Sequence, residues 1–288
     1  MGKNMLILGG SGFIGKSVAT LFAKNGYQIR VLSPSAKQYK WEENIEAISG
    51  NVEDIELVQQ QIDWANLIVH SISTTNPKTS ESDRLFDLTS NLTPIVKILE
   101  MIKFHPNKKF VFFSSGGGVY GKPIQYPIEE THPKNPSTSY GLVKSLIEEY
   151  IIHYNRSFGV PYLILRPSNP FGPKTRSIGE QGIISTLIYK SLLQQEVEIW
   201  ANPNNVRDYI FIDDFAMGVY KLIETNSDGI FNISSGEGNS LKEIIEIVQS
   251  LFSEKLKLVF SSNFVNDEPI NVLDNNKIFE ATGWKPEI

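Results

Sequence analysis

The sequence predicts an α/β fold: a Rossmann-type, doubly wound parallel sheet with a smaller C-terminal α/β lobe. Three observations predict it. Short apolar runs alternate with stretches of helical periodicity through the first half of the 288 residues. A glycine-rich turn follows the first of these runs directly. A tyrosine and a lysine four positions apart, Tyr140 and Lys144, open a long helical stretch after the fifth run.

The elements follow in order. Met5 to Leu8 is a continuous apolar run, as a strand covered on both faces requires. Val18, Leu21 and Phe22 then recur at helical spacing. Ile29, Val31 and Leu32 mark a second strand, Ile45 to Ile48 a third, and Asn66 to Val69 a fourth. Leu85, Leu88, Leu92, Ile95, Val96, Leu99 and Ile102 repeat at helical period. Lys109 to Phe113 is a fifth strand. A helix starts near Ser139 and runs through Leu142, Leu146, Tyr150 and Tyr154, and Tyr162 to Leu165 is a sixth strand. Strands linked by helices of this length imply right-handed crossovers and a parallel sheet.

After Arg166 the texture changes. Pro167, Pro170, Gly172, Pro173 and Gly179 crowd together, so the chain turns repeatedly. Shorter elements follow: a helix around Ile183 to Leu193, strands near Glu198 and Tyr209, and a helix around Leu241 to Leu251. We therefore assign residues 1–166 to a dinucleotide-binding domain and 167–288 mainly to a substrate-binding lobe. Some later strands are expected to return to the main sheet.

Composition narrows the function classes. The chain is 41% hydrophobic and 20% charged, with net charge −5 and no basic stripe, which argues against nucleic acid as a partner. With no cysteine, disulfides and thiolate chemistry are excluded. No apolar run approaches the roughly 20 residues of a membrane span, and Lys3-Asn4 leads straight into a strand without a signal-like segment. The expectation is a cytoplasmic protein that binds no membrane. The four histidines are scattered and suggest no metal site; His70, ending the fourth strand, reads as a packed pocket wall.

The turn Gly9-Gly10-Ser11-Gly12-Phe13-Ile14-Gly15 sits between a strand and a helix. Gly9, Gly12 and Gly15 let a pyrophosphate approach the backbone, and the helix N-terminus at Phe13 and Ile14 offers amide donors and a positive dipole. A carboxylate usually ends the second strand and holds the adenosine ribose. Ser33 stands there. A serine bonds a ribose hydroxyl without repelling a 2′-phosphate, and Lys37 and Lys40 follow, so both NAD and NADP are open. Arg30 should point to the opposite face. Asn51 and Val52, after the third strand, are placed to touch adenine. Ser71 and Pro167, at the ends of the fourth and sixth strands, complete the expected dinucleotide contacts.

Tyr140 and Lys144 lie one helical turn apart, so both reach one ligand. A free tyrosine titrates near 10, and lowering it to neutrality takes about 4 kcal/mol. A nearby ammonium and an oxidised nicotinamide together can supply that. This points to redox chemistry at a hydroxyl or carbonyl carbon.

The segments GGSGFIG at 9–15, SSGGGVYG at 114–121, YGLVK at 140–144, LRPSNPFGP at 165–173 and VRDYIFIDD at 206–214 resemble the extended short-chain dehydrogenase/reductases. Within that group they are most similar to the nucleotide-sugar epimerases of the UDP-glucose 4-epimerase type. The resemblance implies a homodimeric enzyme in which Tyr140 takes the sugar 4-hydroxyl proton beside Lys144 while bound NAD accepts hydride. It implies substrate contacts at Asn169, Trp200 and Arg207, with Ile199 and Trp200 by the nucleotide base and Arg207 on the diphosphate. It also suggests a dimer through the helices at 82–104 and 139–157, which equally well just cover the sheet.

Three departures accompany it. Gly116 occupies the place of a catalytic Ser or Thr, and Ser115 beside it either substitutes or only satisfies backbone groups. The position of a second diphosphate arginine falls on Phe264, near Asp267 and Glu268. The sequence ends at Ile288 after Gly283-Trp284-Lys285-Pro286, where most relatives continue with a helix. The triple glycine at 116–118 also lacks the acidic pair of the 4,6-dehydratases. A nucleotide-sugar 4-epimerase acting on a UDP-hexose or its N-acetyl form is the first expectation. An NAD(P)-dependent reductase or dehydrogenase is the second, and a dinucleotide-sensing regulator the third.

Overall fold

A computed structural model describes residues 2–173, 182–261 and 268–288; Gly179, Phe264 and Asp267 lie outside the described residues. The first half alternates as the periodicity requires: β1 (Asn4–Leu8), α1 (Phe13–Lys24), β2 (Gln28–Ser33), β3 (Ile45–Ser49), α2 (Ile55–Trp64), β4 (Leu67–His70), α3 (Thr79–Ser82), α4 (Arg84–Ile102), β5 (Lys109–Phe113), α5 (Gly116–Val119), α6 (Ser139–Phe158) and β6 (Tyr162–Pro167). The fourth strand thus starts one residue later than expected and takes in His70. The second half contributes β7 (Asn169–Phe171), α7 (Ile183–Leu192), β8 (Val197–Ile199), β9 (Val206–Phe211), α8 (Ile212–Glu224), β10 (Gly229–Ile233), β11 (Gly238–Ser240), α9 (Leu241–Ser250), β12 (Leu258–Phe260), β13 (Ile270–Asn271) and α10 (Asn276–Thr282).

Seven strands form one parallel sheet in the order β10-β6-β5-β4-β1-β2-β3. The order reverses between β1 and β4, and that crevice is where such sheets bind ligands. Alternation along β1 sends Met5 and Ile7 to one face and Leu6 and Leu8 to the other. On the first face they meet Val18 and Phe22 of α1 and Phe215, Val219 and Leu222 of α8. On the second they meet Val58 and Ile62 of α2, Ile95 and Leu99 of α4, and Val143, Ile147 and Ile151 of α6. Both faces are covered, which is why these strands read as unbroken apolar runs.

Three elements beyond residue 166 return to the main sheet. Strand β10 returns to pair with β6, as expected of some later strands, and α8 packs on the face of α1. Helix α10 joins the same face through Ile278, and the other elements form a small lobe: β7, β11 and β13 gather around β9, β8 pairs with β12, and α7 and α9 pack against Val197 and Ile199. Among the described residues no helix is long and apolar enough to cross a membrane.

Candidate active site

The glycine turn is built for close approach. Gly9 adopts φ +80°, which L side chains rarely tolerate. A Cβ on Gly15 would fall 2.7 Å from Gly10 Cα and 2.7 Å from Ser71 Oγ, so Gly15 lets α1 start tight against β1. Ser71 is fixed there by donating to the Leu8 carbonyl at 2.9 Å. Gly12 caps α1 without a side chain, leaving the amide end of the helix at Phe13 and Ile14 without a side-chain lid. A cradle of backbone at a helix N-terminus fits a dinucleotide pyrophosphate.

At the adenosine end Ser33 is buried and is not a lone ribose ligand. Its Oγ donates to Ser11 Oγ at 2.7 Å, and Ser11 Oγ lies 2.9 Å from Ser35 Oγ. Three neutral hydroxyls therefore stand where a carboxylate is common, and none repels a 2′-phosphate. Arg30 points to the other face, as expected, bonding Glu46 at 2.8 Å and stacking on Trp64. Lys37 and Lys40 are exposed. Asn51 closes the turn after β3 by accepting from the Glu53 amide. Val52 lines a cavity of about 180 Å³ with Glu53, Thr89, Thr93, Pro94 and Lys97, on the side where adenine is expected.

The catalytic candidates converge at the carboxyl end of β5. Ser115 is not a strand residue: it caps the short helix α5, accepting from the Gly118 amide, and its side chain is close enough to the Tyr140 phenol to draw its pKa down. The cap bond satisfies a backbone amide, as one of the two readings of Ser115 expected. Gly116 has no room for a hydroxyl, since a Cβ there would fall 2.4 Å from Leu273 Cδ1 and 2.9 Å from the Pro167 carbonyl oxygen. Pro167 thus closes the wall behind Gly116. Strand alternation does not set the direction of Ser115, because the chain leaves β5 at Phe113 and turns into α5.

Tyr140 is set by the start of α6. Thr138 caps that helix, the Tyr140 amide donates to Ser80 Oγ at 3.1 Å, and the Ser139 hydroxyl donates to Asp87 Oδ2 at 2.7 Å. Burial pushes the Tyr140 phenol above its ordinary range, the bond to Ser115 draws it back, the Asp87 carboxylate raises it, and a bond to Ser73 lowers it. Lys144 is buried, donates to the Phe113 carbonyl at 3.0 Å, and sits 5.8 Å from the Tyr140 ring centroid. Its ammonium is pushed down to about 8 by burial, against the carboxylates of Glu148 and Asp87. The chain alone therefore holds Tyr140 as a neutral phenol. His70 is buried beside the phenyl rings of Phe110 and Phe112, as a packed side chain, and burial first, then Lys144, push it down to about 3.

The residues expected to contact substrate lie in the small lobe and differ in exposure. Asn169 is exposed and donates Nδ2 to the Asp208 carbonyl at 2.8 Å, tying β7 to β9. Arg207 is half-buried and its Nη1 bonds the Val206 carbonyl at 2.8 Å. Ile199 is buried in the lobe core, whereas Trp200 is exposed under the Lys78 ammonium, 5.5 Å from its ring centroid. Sequence reasoning missed Ser73, Asp87 and the partners of Ser33. Ser73 was within reach, because it lies just beyond a strand's carboxyl end. Asp87 carries no signal beyond a charge on a helix face that turns out to be buried.

A dinucleotide turn at the sheet's switch point, with a Tyr–Lys pair and a serine at the next strand end, defines an extended short-chain dehydrogenase/reductase. The chain belongs to the NAD dependent epimerase/dehydratase family, which matches residues 5–234. A protein of Methanocaldococcus jannaschii is 32% identical over 99% of this chain and 93% of its own length. Among solved structures, the UDP-glucose 4-epimerase of Thermus thermophilus in complex with NAD shares 26% identity, with a TM-score of 0.91 over 99% of this chain and 94% of that one. The UDP-glucose 4-epimerase of Thermotoga maritima with UDP-glucose shares 26% identity, with a TM-score of 0.89 and the same coverage.

Proposed function

We propose that this chain is a nucleotide-sugar 4-epimerase that acts on a UDP-hexose or UDP-N-acetylhexosamine. The observation that carries the reading is the gathering of Ser115 and Lys144 around Tyr140 past the carboxyl end of β5, in a sheet whose β1 ends in the glycine turn. Bound NAD supplies a hydride acceptor, and a hydride donor on return, at the sugar C4. The chain's own residues do the rest. Tyr140 takes the 4-hydroxyl proton and gives it back, and Ser115 orients that oxygen within hydrogen-bond reach. Lys144 places a positive charge under the phenol and so favours its ionised form once the cofactor's charge is present. Arg207 pairs the diphosphate, its guanidinium suiting two phosphate oxygens, while Asn169 and Trp200 flank sugar and base. The serine chain at Ser33 accepts NAD and does not exclude NADP.

A homodimer accompanies this reading. Leu85, Leu88 and Leu92 of α4 and Leu142, Leu146 and Tyr150 of α6 recur at one-turn spacing on their helices, and Leu85 (70%) and Leu142 (51%) are largely exposed. Exposed leucines repeated at such spacing suit a helix–helix interface with a second copy. We place the protein in the cytoplasm as a soluble enzyme.

The test is turnover of UDP-, dTDP- and GDP-sugars followed by NMR, with Tyr140→Phe as control. The expected result is interconversion at C4 without net consumption of dinucleotide, lost in Tyr140→Phe while dinucleotide binding persists. Stoichiometric consumption of NAD(P)H would assign a reductase instead. Binding without turnover would assign a sensor.

A further inference from the structure

One buried cluster next to Tyr140 and Lys144 is not used by the mechanism above. Glu148 follows Lys144 by one turn on the same face of α6 and is fully buried. Its carboxylate is held by Arg166 of β6, Nε to Oε1 at 3.0 Å and Nη2 to Oε2 at 2.6 Å. Lys134 approaches Oε2 at 3.3 Å. Ser114 donates to Oε1 at 2.6 Å. Arg166 also donates to the Tyr120 hydroxyl at 2.9 Å and to the Glu130 carbonyl at 3.2 Å, and Tyr120 in turn donates to Asn232 at 2.8 Å.

Ser114 is the pivot. It lies between Phe113, whose carbonyl receives Lys144, and Ser115, whose side chain neighbours the Tyr140 phenol. It is also the first residue past β5, where its amide still bonds the Leu165 carbonyl at 2.8 Å before the chain turns into α5. The direction in which Ser115 leaves the strand is thus set at Ser114, and Ser114 is anchored by Glu148. A buried carboxylate with Arg, Ser and Lys donors is a strongly determined anchor, because leaving any of these groups unpaired in the interior is costly.

We propose that Glu148, fixed by Arg166, is a positioning residue for the reaction: through Ser114 it aims Ser115 at Tyr140 and the Phe113 carbonyl at Lys144. The proposal rests on the epimerase reading for its kinetic arm only. It has an electrostatic side as well. The charged and titratable groups facing Lys144 are Glu148 and Tyr140 on its own helix, Asp87 on α4 and His70 on β4. Of these, Glu148 and Asp87 favour the ammonium against burial. Neutralising Glu148 removes one support and leaves the Arg166 charge uncompensated nearby; both effects lower the pH at which Lys144 gives up its proton.

Two variants test this. Ser114→Ala removes one hydroxyl and no charge, so the fold should survive. It is expected to lower kcat at least tenfold with KM within about twofold, the mark of an interaction needed chiefly in the transition state. Glu148→Gln is followed by NMR titration of lysines carbon-labelled at Cε, with the Lys144 signal assigned by its loss in Lys144→Met. Its midpoint is expected to fall by at least half a pH unit from the wild-type value, and Glu148→Asp should restore part of the shift. If Glu148→Gln does not fold, Ser114→Ala decides alone through kcat. If the wild type turns over no nucleotide sugar, the epimerase reading fails and the Lys144 titration decides. Wild-type kcat in Ser114→Ala beside a dead Tyr140→Phe, or an unmoved Lys144 midpoint in folded Glu148→Gln, overturns the proposal and leaves the epimerase reading standing.

Discussion

At the scale of single residues the site turns on which atoms reach the Tyr140 oxygen. Ser115 stands beside that phenol while capping α5, and Gly116 has no room for a side chain. Ser115→Ala is therefore expected to reduce turnover on the order of a hundredfold with little change in substrate affinity, since the lost bond matters most in the transition state. Steady-state kinetics that show wild-type kcat would remove Ser115 from the reaction. Lys144 gives the pH dependence. Its folded value is lowered from 10.5 to about 8, so the ammonium is present below pH 8 and is lost as pH rises through it. Activity that needs this charge should fall on the alkaline side near about pH 8, in a profile of kcat/KM on the free enzyme. A profile flat to about pH 10 would mean that Lys144 acts in its neutral form or not at all. The sequence showed Tyr140, Lys144 and the glycine turn by type and spacing. It did not show that Ser115 reaches Tyr140, because that depends on where β5 ends and α5 begins, a matter of one residue.

At the scale of elements, the strands of the main sheet were legible because burial on both faces leaves unbroken apolar runs such as Met5 to Leu8 and Lys109 to Phe113. Helix α6 was legible in its start near Ser139 and its spacing through Tyr154; its ends are set by the Thr138 cap and by Gly159 at φ +72°. The small lobe was harder. Its strands β7, β11 and β13 are two or three residues long, too short for alternation to show, and they are held by pairing with β9 rather than by their own pattern. Helix α8 escaped notice although Ile212, Phe215, Val219 and Leu222 keep helical spacing, because the chain there was assigned to the lobe. Helices α4 and α6 carry the prediction at this scale. Leu142→Glu puts a charge into the stripe proposed for the dimer, where an unpaired buried carboxylate is costly. Analytical ultracentrifugation is expected to find a dimer for the wild type and a monomer for the variant, with circular dichroism unchanged. A wild-type monomer would reduce these helices to covers for the sheet.

At the scale of the whole molecule, His70 links the site to stability. It is fully buried and its folded value is lowered from 6.5 to about 3, chiefly by burial and then by Lys144. The unfolded chain therefore binds a proton below about pH 6.5 that the folded chain refuses, and stability falls as pH drops from there toward 3. Between about pH 7.5 and pH 5 the loss is about 2 kcal/mol. Urea unfolding of the wild type should show it, and His70→Phe should show less of it; an equal pH dependence in the two would place the acid sensitivity elsewhere.

The central claim is transient oxidation at C4 with Tyr140 as the base. The most direct measurement uses a UDP-hexose bearing deuterium at C4, incubated with the protein as isolated and followed by NMR and mass spectrometry. The account expects the C4 epimer to form with the deuterium still at C4, and with no dinucleotide consumed. Deuterium lost to water, or a product reduced or oxidised in proportion to added NAD(P), would contradict it.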